Sequence, residues 1–254
     1  MKNVKLITEY DGTKYHGWQI QKNAETIQGE IEKAVYKLTG EYSEVNGCSR
    51  TDKGVHAFGH VSSFVTSSSI PSEKFCFALN SVLPKDIVVK HSCEEAKDFH
   101  ARFSCTGKKY MYRIYNCNTQ SALLKDRAWF EPRVLDTEAM KRAAEYYVGE
   151  FDFSAFQAVG SSVQTTVRKI FSTDVRSSES LNGGKDIFFE VSGSGFLYNM
   201  VRIMAGTLLE VGKGRINPED ISDIIILGKR AKAGVTAPPQ GLYLKEVYYG
   251  STQS

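Results

Sequence analysis

The sequence has few cysteines, and none of them form a closely spaced pair. Its five cysteines are an odd number and include no CxxC motif, so neither a disulfide framework nor a zinc ribbon is indicated. Reduced thiols, as in cytoplasmic proteins, are the simplest account. The sequence also lacks a long apolar run, because its apolar stretches span only a few residues and a transmembrane helix needs about 20.

The amino-terminal residues likewise lack the apolar segment of a signal peptide. They read MKNVKLITEYDG, an alternating pattern that is typical of a half-buried strand followed by a turn. We therefore expect a cytoplasmic protein with no membrane association.

Strong net charge is absent as well. Thirty-two Lys and Arg residues face 29 Asp and Glu residues, a net charge of +3, and the 41% hydrophobic content is that of an ordinary globular protein. A nucleic-acid partner is neither required nor excluded, because the clustering of cations matters more than their sum. The cations do cluster, in segments with few acidic neighbours: Arg50 and Lys53; Arg102, Lys108, Lys109 and Arg113; Lys229, Arg230 and Lys232.

The first half of the chain alternates strand and helix patterns. Residues 4–10 and 55–65 read as strands, and residues 86–96 begin as one. Helices are predicted over 71–83 and over 26–40, the latter with Thr26 as N-cap and Gly40 as its stop. This order predicts an α+β sheet covered by helices.

The second half has the same organisation. Its strand patterns are 108–117, 165–177, 186–196 and 241–250, and its helix patterns are 136–149, 199–214 and 217–229, the last with Asn217 as its cap. A boundary near 104–108 then separates two similar halves. We predict an N-terminal α+β domain over 1–105 and a C-terminal α+β domain over 106–254.

The segment CSRTDKGVHAFGH, residues 48–60, concentrates ionisable groups on a predicted turn. Gly54 permits a positive φ, so the chain can turn sharply and present the Asp52 carboxylate at the mouth of the next strand. A nearby cation such as Arg50 would keep that carboxylate ionised, as a nucleophile or a base requires. The alternative is a surface turn with a solvated ion pair.

His56 and His60, with Cys48, also suggest a metal site. On a strand, however, the two histidines lie roughly 13 Å apart at about 3.3 Å per residue. One zinc ion needs each ligand nitrogen at about 2.0–2.1 Å. We therefore predict no metal at this segment.

Two further segments carry functional side chains. KKYMYRIYNC interleaves tyrosines with cations, which suits base stacking and phosphate binding but is equally typical of sheet packing. Arg202 lies inside an apolar helix pattern, where a charge must reach solvent or find a partner. Asp52 is a candidate partner.

Taken together, these segments resemble the TruA-type tRNA pseudouridine synthases. SRTDKGVHAFGHVSSF resembles the active-site motif of that family. Five other blocks resemble the family in the same order, so that the resemblance runs from about residue 4 to residue 249: YDGTKYHGWQIQ, TIQGEIEKAV, FHARFSCTGKKYMYRIYN, FLYNMVRIMAGTLLEVGKG and GVTAPPQGLYL.

The resemblance implies the pseudouridine synthase fold and its activity. The fold is of α+β class, with two similar α/β-sandwich halves of mixed or antiparallel sheets joined around a central cleft. The C-terminal half completes the active-site cleft that the Asp52 motif begins. The activity is isomerisation of uridine to pseudouridine at positions 38, 39 and 40 of the tRNA anticodon stem-loop. The family needs no metal and no organic cofactor, and its members are homodimers that bind tRNA.

The resemblance also assigns roles to individual residues. Asp52 matches the catalytic aspartate, and Arg50 matches the arginine associated with displacing the flipped nucleotide. Tyr110 matches the tyrosine that stacks on the target uracil. Arg202 matches the basic residue that pairs with the catalytic carboxylate, and Leu242 matches an apolar wall of the pocket. His60 departs from the pattern, because glutamine is frequent at its position in the family.

Two other functions would account for some of the same sequence features. A catalytically silent RNA-binding protein of the same fold would keep the basic clusters but would not need the Asp52 carboxylate. A carboxylate-dependent N-glycoside hydrolase would cleave the same bond but release free uracil.

Overall fold

The computed structural model describes residues 1–160, 163–181 and 183–250. The β-strands are β1 (Lys2–Tyr10), β2 (Asn46–Gly47), β3 (His56–Thr66), β4 (Ile87–Glu95), β5 (Cys105–Asn116), β6 (Trp129–Glu131), β7 (Gly149–Asp152), β8 (Val167–Glu179), β9 (Lys185–Gly193) and β10 (Leu242–Tyr249). The α-helices are α1 (Ile27–Thr39), α2 (Phe75–Asn80), α3 (Thr137–Glu145), α4 (Met200–Gly212) and α5 (Asp220–Leu227). Strands with helices beside them confirm the predicted α+β class.

The chain forms two compact units. The first comprises Met1–Thr106 and the chain from Tyr243 on, and the second comprises Gly107–Leu242. The last strand in sequence therefore contributes mainly to the first unit. The bounds 1–105 and 106–254 remain a prediction about domains, because a compact unit need not fold on its own.

The first unit is a sheet with the strand order β4-β1-β3-β10. β1 runs antiparallel to both of its neighbours, whereas β10 runs parallel to β3. Buried residues of α1 recur at helical spacing, which explains why this segment is an amphipathic helix: Ile27, Ile31, Ala34 and Val35.

The predicted ends of α1 are confirmed. The Thr26 hydroxyl accepts a hydrogen bond from the Gly29 N–H, and Gly40 ends the helix in the left-handed conformation at φ 73°. The helix predicted over 71–83 is shorter than expected, since α2 ends at Asn80. The Asn80 amide accepts from the Val89 N–H and donates to the Val89 carbonyl, both at 2.8 Å, and these bonds to β4 hold the helix end in place.

The second unit is an antiparallel sheet in the order β5-β9-β8-β7, with β6 added parallel to β5. α3 packs on β8 and on α4. Every residue of α4 is buried except Arg202 and Glu210, so this helix belongs to the core of the unit.

The predicted cap of α5 is wrong. Glu219, not Asn217, is the N-cap, and it makes no side-chain capping bond. The backbone N–H of Asn217 instead donates to the Asp220 carboxylate at 3.0 Å. This bond closes a turn before the helix, so the helix begins at Asp220 rather than at Pro218. No helix in the described ranges is long and apolar enough to span a bilayer.

Candidate active site

Asp52 lies in a tight turn just before β3. The Val55 N–H donates to the Asp52 carbonyl at 3.1 Å, and Gly54 has φ 78°, so the sharp turn predicted from the sequence is confirmed. The Asp52 residue is half-buried, whereas Arg50 and Lys53 on either side of it are exposed. The turn thus carries a carboxylate between two cations that reach solvent.

Two glycines allow another part of the chain to pack directly on this turn. A Cβ atom on Gly12 would lie 2.0 Å from the Val55 carbonyl oxygen, and one on Gly17 would lie 2.4 Å from the Thr51 carbonyl oxygen. Gly17 also has φ 89°, which other residues rarely adopt. The backbone on both sides of Asp52 is therefore fixed by contacts that only glycine permits.

Hydrogen bonds hold the residues before Asp52. The Trp18 N–H donates to the Thr51 carbonyl at 3.0 Å, and the hydroxyls of Tyr10 and Thr51 bond each other at 2.8 Å. The buried His60 ring donates from Nε2 to the Ser49 carbonyl at 2.9 Å and stacks on Trp18 with the ring centroids 3.7 Å apart. These contacts make His60 a positioning residue for the Asp52 turn.

The glycine-bearing segment is itself anchored by Tyr15. The Tyr15 hydroxyl donates to the Asp86 carboxylate at 2.6 Å. Burial, together with this carboxylate, raises the pKa of Tyr15 well above its ordinary value. The phenol therefore stays protonated at neutral pH, and its hydrogen bond ties the segment to the residue that precedes β4.

The two histidines of this segment have separate polar neighbours. His56 Nδ1 lies 3.1 Å from the Gly12 N–H nitrogen and 3.1 Å from an Asp11 carboxylate oxygen. His60 is bonded to a backbone carbonyl. Within the described part of the chain, no group of three or more His, Cys, Asp or Glu side chains is arranged to hold a metal ion.

Tyr110 lies on β5 in the second unit. It is 8% exposed and is paired with Val191 on β9. The ring of Phe196 meets it edge-on, with the centroids 5.1 Å apart and the planes at 85°. This T-shaped packing restricts the orientation of the Tyr110 ring.

Arg202 is oriented by two neutral oxygens. Its Nε donates to the Ala237 carbonyl and its Nη1 donates to the Asn199 side-chain oxygen, both at 2.7 Å. Ala237 returns a backbone hydrogen bond to the Arg202 carbonyl at 3.1 Å. Because both acceptors are uncharged, these bonds direct the guanidinium without neutralising it. The sequence predicted a charged partner for Arg202, and that pairing stays a prediction.

The loop that carries Ala237 is held by a second arginine. Arg230 donates to the Gly234 carbonyl at 2.9 Å and to the Thr236 hydroxyl at 3.2 Å. Partial burial lowers the pKa of the Arg230 guanidinium. Arg230 belongs to one of the cation clusters of the sequence, and its bonds give it a structural role in this loop.

Leu242 is 7% exposed, and the residue before it packs closely on β5. A Cβ atom on Gly241 would lie 2.8 Å from the Arg113 carbonyl oxygen, and the Tyr112 hydroxyl donates to the Pro238 carbonyl at 2.7 Å. Segment 238–242 therefore lies on the strand that also carries Tyr110.

The structure thus divides the predicted site residues between the units. Arg50 and Asp52 lie in the first, and Tyr110, Arg202 and Leu242 lie in the second. Sequence reasoning missed the positioning roles of His60 and Asn199. The only available signals were the departure from glutamine at position 60 and the asparagine directly before the α4 pattern.

Two comparisons with known proteins define the class of this chain. A sequence model described as tRNA pseudouridine synthase matches residues 6–104 and 143–250. Because that match covers most of the sequence, the chain belongs to the tRNA pseudouridine synthase family. The chain is therefore an isomerase whose substrate is uridine in tRNA, and the resemblance found in the sequence is confirmed.

Individual relatives are similar to this chain over nearly its whole length. The chain is 54% identical to tRNA pseudouridine synthase A of Acetivibrio thermocellus and 53% identical to that of Ruminiclostridium cellulolyticum. Each comparison covers 98% of this chain and 100% of the relative. A crystal structure of a Cbf5-Nop10-Gar1 complex matches 94% of this chain and 57% of its own, with a TM-score of 0.39 and 11% identity, a likeness too low to define the fold.

Proposed function

We propose that the chain converts uridine to pseudouridine at positions 38, 39 and 40 of the tRNA anticodon stem-loop, with Asp52 as the catalytic carboxylate. The observation that carries this proposal is the turn at Asp52. Contacts at Gly12 and Gly17 fix its backbone on both sides, and two exposed cations flank the carboxylate. A solvated surface turn would not need such fixation, whereas a reacting carboxylate depends on its placement.

The reaction replaces one bond to the sugar by another. The bond between uracil N1 and ribose C1′ breaks, the base rotates, and a bond forms between uracil C5 and C1′. C5 loses its hydrogen and N1 gains a proton, so the overall change is an isomerisation. The ionised Asp52 has three routes open to it: attack on C1′, addition to uracil C6, or removal of the C2′ proton.

The other site residues act on the substrate around this carboxylate. A target uridine in a paired stem must leave its stack first, which costs a few kcal/mol. Arg50 occupies the vacated space, and Tyr110 recovers part of that cost by stacking on the uracil, worth ~1–3 kcal/mol per base. Arg202 pairs with the Asp52 carboxylate and keeps it ionised. Leu242 supplies an apolar wall.

Oligomeric state and location complete the proposal. The resemblance supports a homodimer in which both subunits contact one tRNA. A cytoplasmic location follows from the substrate, since tRNA is used there.

The decisive test is tritium release from tRNA that carries [5-³H]uridine. Wild type should release tritium, because the new bond forms at C5. Asp52→Asn should release none and bind tRNA within a few-fold of wild type, because the amide keeps the shape of the side chain and loses its charge. Asp98→Asn is the matched control, since Asp98 is an exposed aspartate of the same unit, and it should behave like wild type.

The products separate the remaining possibilities. Turnover by Asp52→Asn comparable to wild type would remove Asp52 from the mechanism. Free uracil in place of pseudouridine would indicate a glycoside hydrolase, and tight binding without any turnover by wild type would indicate a binding protein. Substrates with one uridine at position 38, 39 or 40 test the site, and modification only elsewhere in the tRNA would overturn that part of the proposal.

A further inference from the structure

Three aromatic rings form a column beside the Asp52 turn. Tyr243 stacks on His56 with the centroids 4.8 Å apart and the planes at 24°, and on Phe58 at 5.0 Å and 9°. His56 and Phe58 are two residues apart on β3, so they share a face of the sheet. Tyr243 lies on the adjacent β10, in register with His56. We call these three residues the aromatic column.

The column is buried at one end and open at the other. His56 is 2% exposed and Tyr243 is 6% exposed, but Phe58 is 46% exposed. Tyr243 stacks on Phe58 and is itself backed by His56, so the Phe58 ring is held in a fixed orientation. Because little side-chain freedom is left to lose, the ring is already organised for a planar partner.

Phe58 lies near the reacting carboxylate. Residues 52–55 close a β-turn, which places their terminal Cα atoms within about 7 Å. Three strand residues at about 3.3 Å each then lead to Phe58. The Cα atoms of Asp52 and Phe58 are therefore at most about 17 Å apart, which is about five nucleotides of a stacked strand at roughly 3.4 Å each.

We propose that the exposed ring of Phe58 stacks on an unpaired base of the tRNA, within a few nucleotides of the target uridine. The inference rests on the proposed role of Asp52, which sets where the target lies. Every base has a π-face, so an aromatic ring can hold any of them without reading their identity. The column would fix the register of the RNA strand at the site rather than take part in the chemistry.

Phe77 offers a matched control. It is a phenylalanine of the same unit, 69% exposed, but it lies on α2 with the Lys74 ammonium 5.6 Å from its ring centroid. Within the described ranges, no aromatic ring stacks on it from behind. It therefore has the exposure of Phe58 without the arrangement on which the inference depends.

The experiment combines substitutions in the protein with the removal of single bases from the tRNA. Equilibrium binding constants are measured for wild type, Phe58→Ala, Phe58→Trp and Phe77→Ala. The ligands are intact tRNA and tRNAs in which one nucleotide flanking the target at a time lacks its base. Phe58→Ala should weaken binding of intact tRNA roughly 5- to 150-fold, the range of one lost stack. Phe58→Trp should stay within a few-fold of wild type.

One flanking position should be coupled to Phe58. Removing the base at that position should weaken tRNA binding by wild type and by Phe77→Ala as much as the Phe58→Ala substitution weakens binding of intact tRNA. It should not weaken tRNA binding by Phe58→Ala any further. Effects on tRNA folding cancel, because they are common to all the proteins. In Phe58→Ala, the rate of tritium release at saturating tRNA should change less than KM does, because the stacking contact contributes to binding.

The inference would be overturned if, at every flanking position, the loss of binding from base removal simply adds to the loss from Phe58→Ala. This holds even if Phe58→Ala binds tRNA weakly. That result is distinct from failure of the proposed function, which would appear as tritium release by Asp52→Asn.

Discussion

Glycine at positions 12 and 17 sets how closely the chain approaches the Asp52 turn. Side chains there would meet backbone carbonyl oxygens at 2.0 and 2.4 Å, and backbone cannot move aside as the end of a flexible side chain can. The same turn is bonded through Thr51 and Ser49. The backbone that carries the carboxylate is thus held both by close backbone contacts and by side-chain hydrogen bonds.

We expect Gly17→Ala to lose most of the tRNA isomerase activity, measured by tritium release, and to unfold at lower denaturant concentration. Two effects combine at this position, strain from the positive φ and the clash with the Thr51 carbonyl. Gly40→Ala separates them, because Gly40 has φ 73° and, apart from its own helix and chain neighbours, no atom of the described residues lies within 4 Å of an added Cβ. It should lose about 1–2 kcal/mol of stability from the φ strain and keep its activity. Equal activity in both variants would contradict the positioning role.

At the scale of secondary-structure elements, α4 combines a core role with the function proposed for Arg202. The helix is apolar around its circumference, yet it carries Arg202 in its first turn. Asn199 precedes the helix in the left-handed conformation and makes no capping bond, because its side-chain oxygen accepts from Arg202. The start of α4 therefore gives up a capping bond and orients the guanidinium.

We expect Asn199→Gly to lower kcat several-fold while the free energy of unfolding changes by less than about 1 kcal/mol. Glycine adopts φ 59° without strain, so only the oxygen that orients Arg202 is lost. Asn23→Gly is the control, because Asn23 has φ 61° and is exposed, and its activity should not change. Activity and denaturant midpoint are measured for both. An unchanged kcat in Asn199→Gly would show that the Asn199 contact does not matter for catalysis.

At the scale of the whole molecule, the distribution of charge matters more than its sum. The net charge is only +3, and some of the clustered cations are engaged within the protein. Lys109 forms an ion pair with the buried Glu190 at 2.8 Å, and Arg230 holds its own loop. Lys229 and Lys232 are exposed, so they are the stronger candidates for phosphate contacts.

We expect Lys232→Gln to weaken tRNA binding and to reduce the slope of log K against log salt concentration by about 0.7–0.9, the value for one lost phosphate contact. Binding titrations over a range of salt concentrations measure both quantities. Lys37→Gln, at an exposed position on α1, should leave the slope unchanged. A parallel slope for Lys232→Gln and wild type would mean that Lys232 contacts no phosphate.

Much of the fold could be predicted from the sequence, because local patterns decide local structure. Alternation in β1, the caps of α1 and the turn at Gly54 each depend on residues that are neighbours in the chain. The Asp52 motif was recognisable for the same reason, since it consists of consecutive residues.

Only the tertiary structure decided which of several possible groups bonds to a given residue. Asn217 did not cap α5 because the Asp220 carboxylate engages it, and α2 ended at Asn80 because β4 supplies its partners. His60 holds Ser49 within the same motif, and Tyr243 covers His56 from the far end of the sequence. The sequence by itself determined the types of the longer elements, the Asp52 turn and the family resemblance. The positioning contacts required the folded chain, because hydrogen bonds and ring stacking depend on distances in space that sequence separation does not encode.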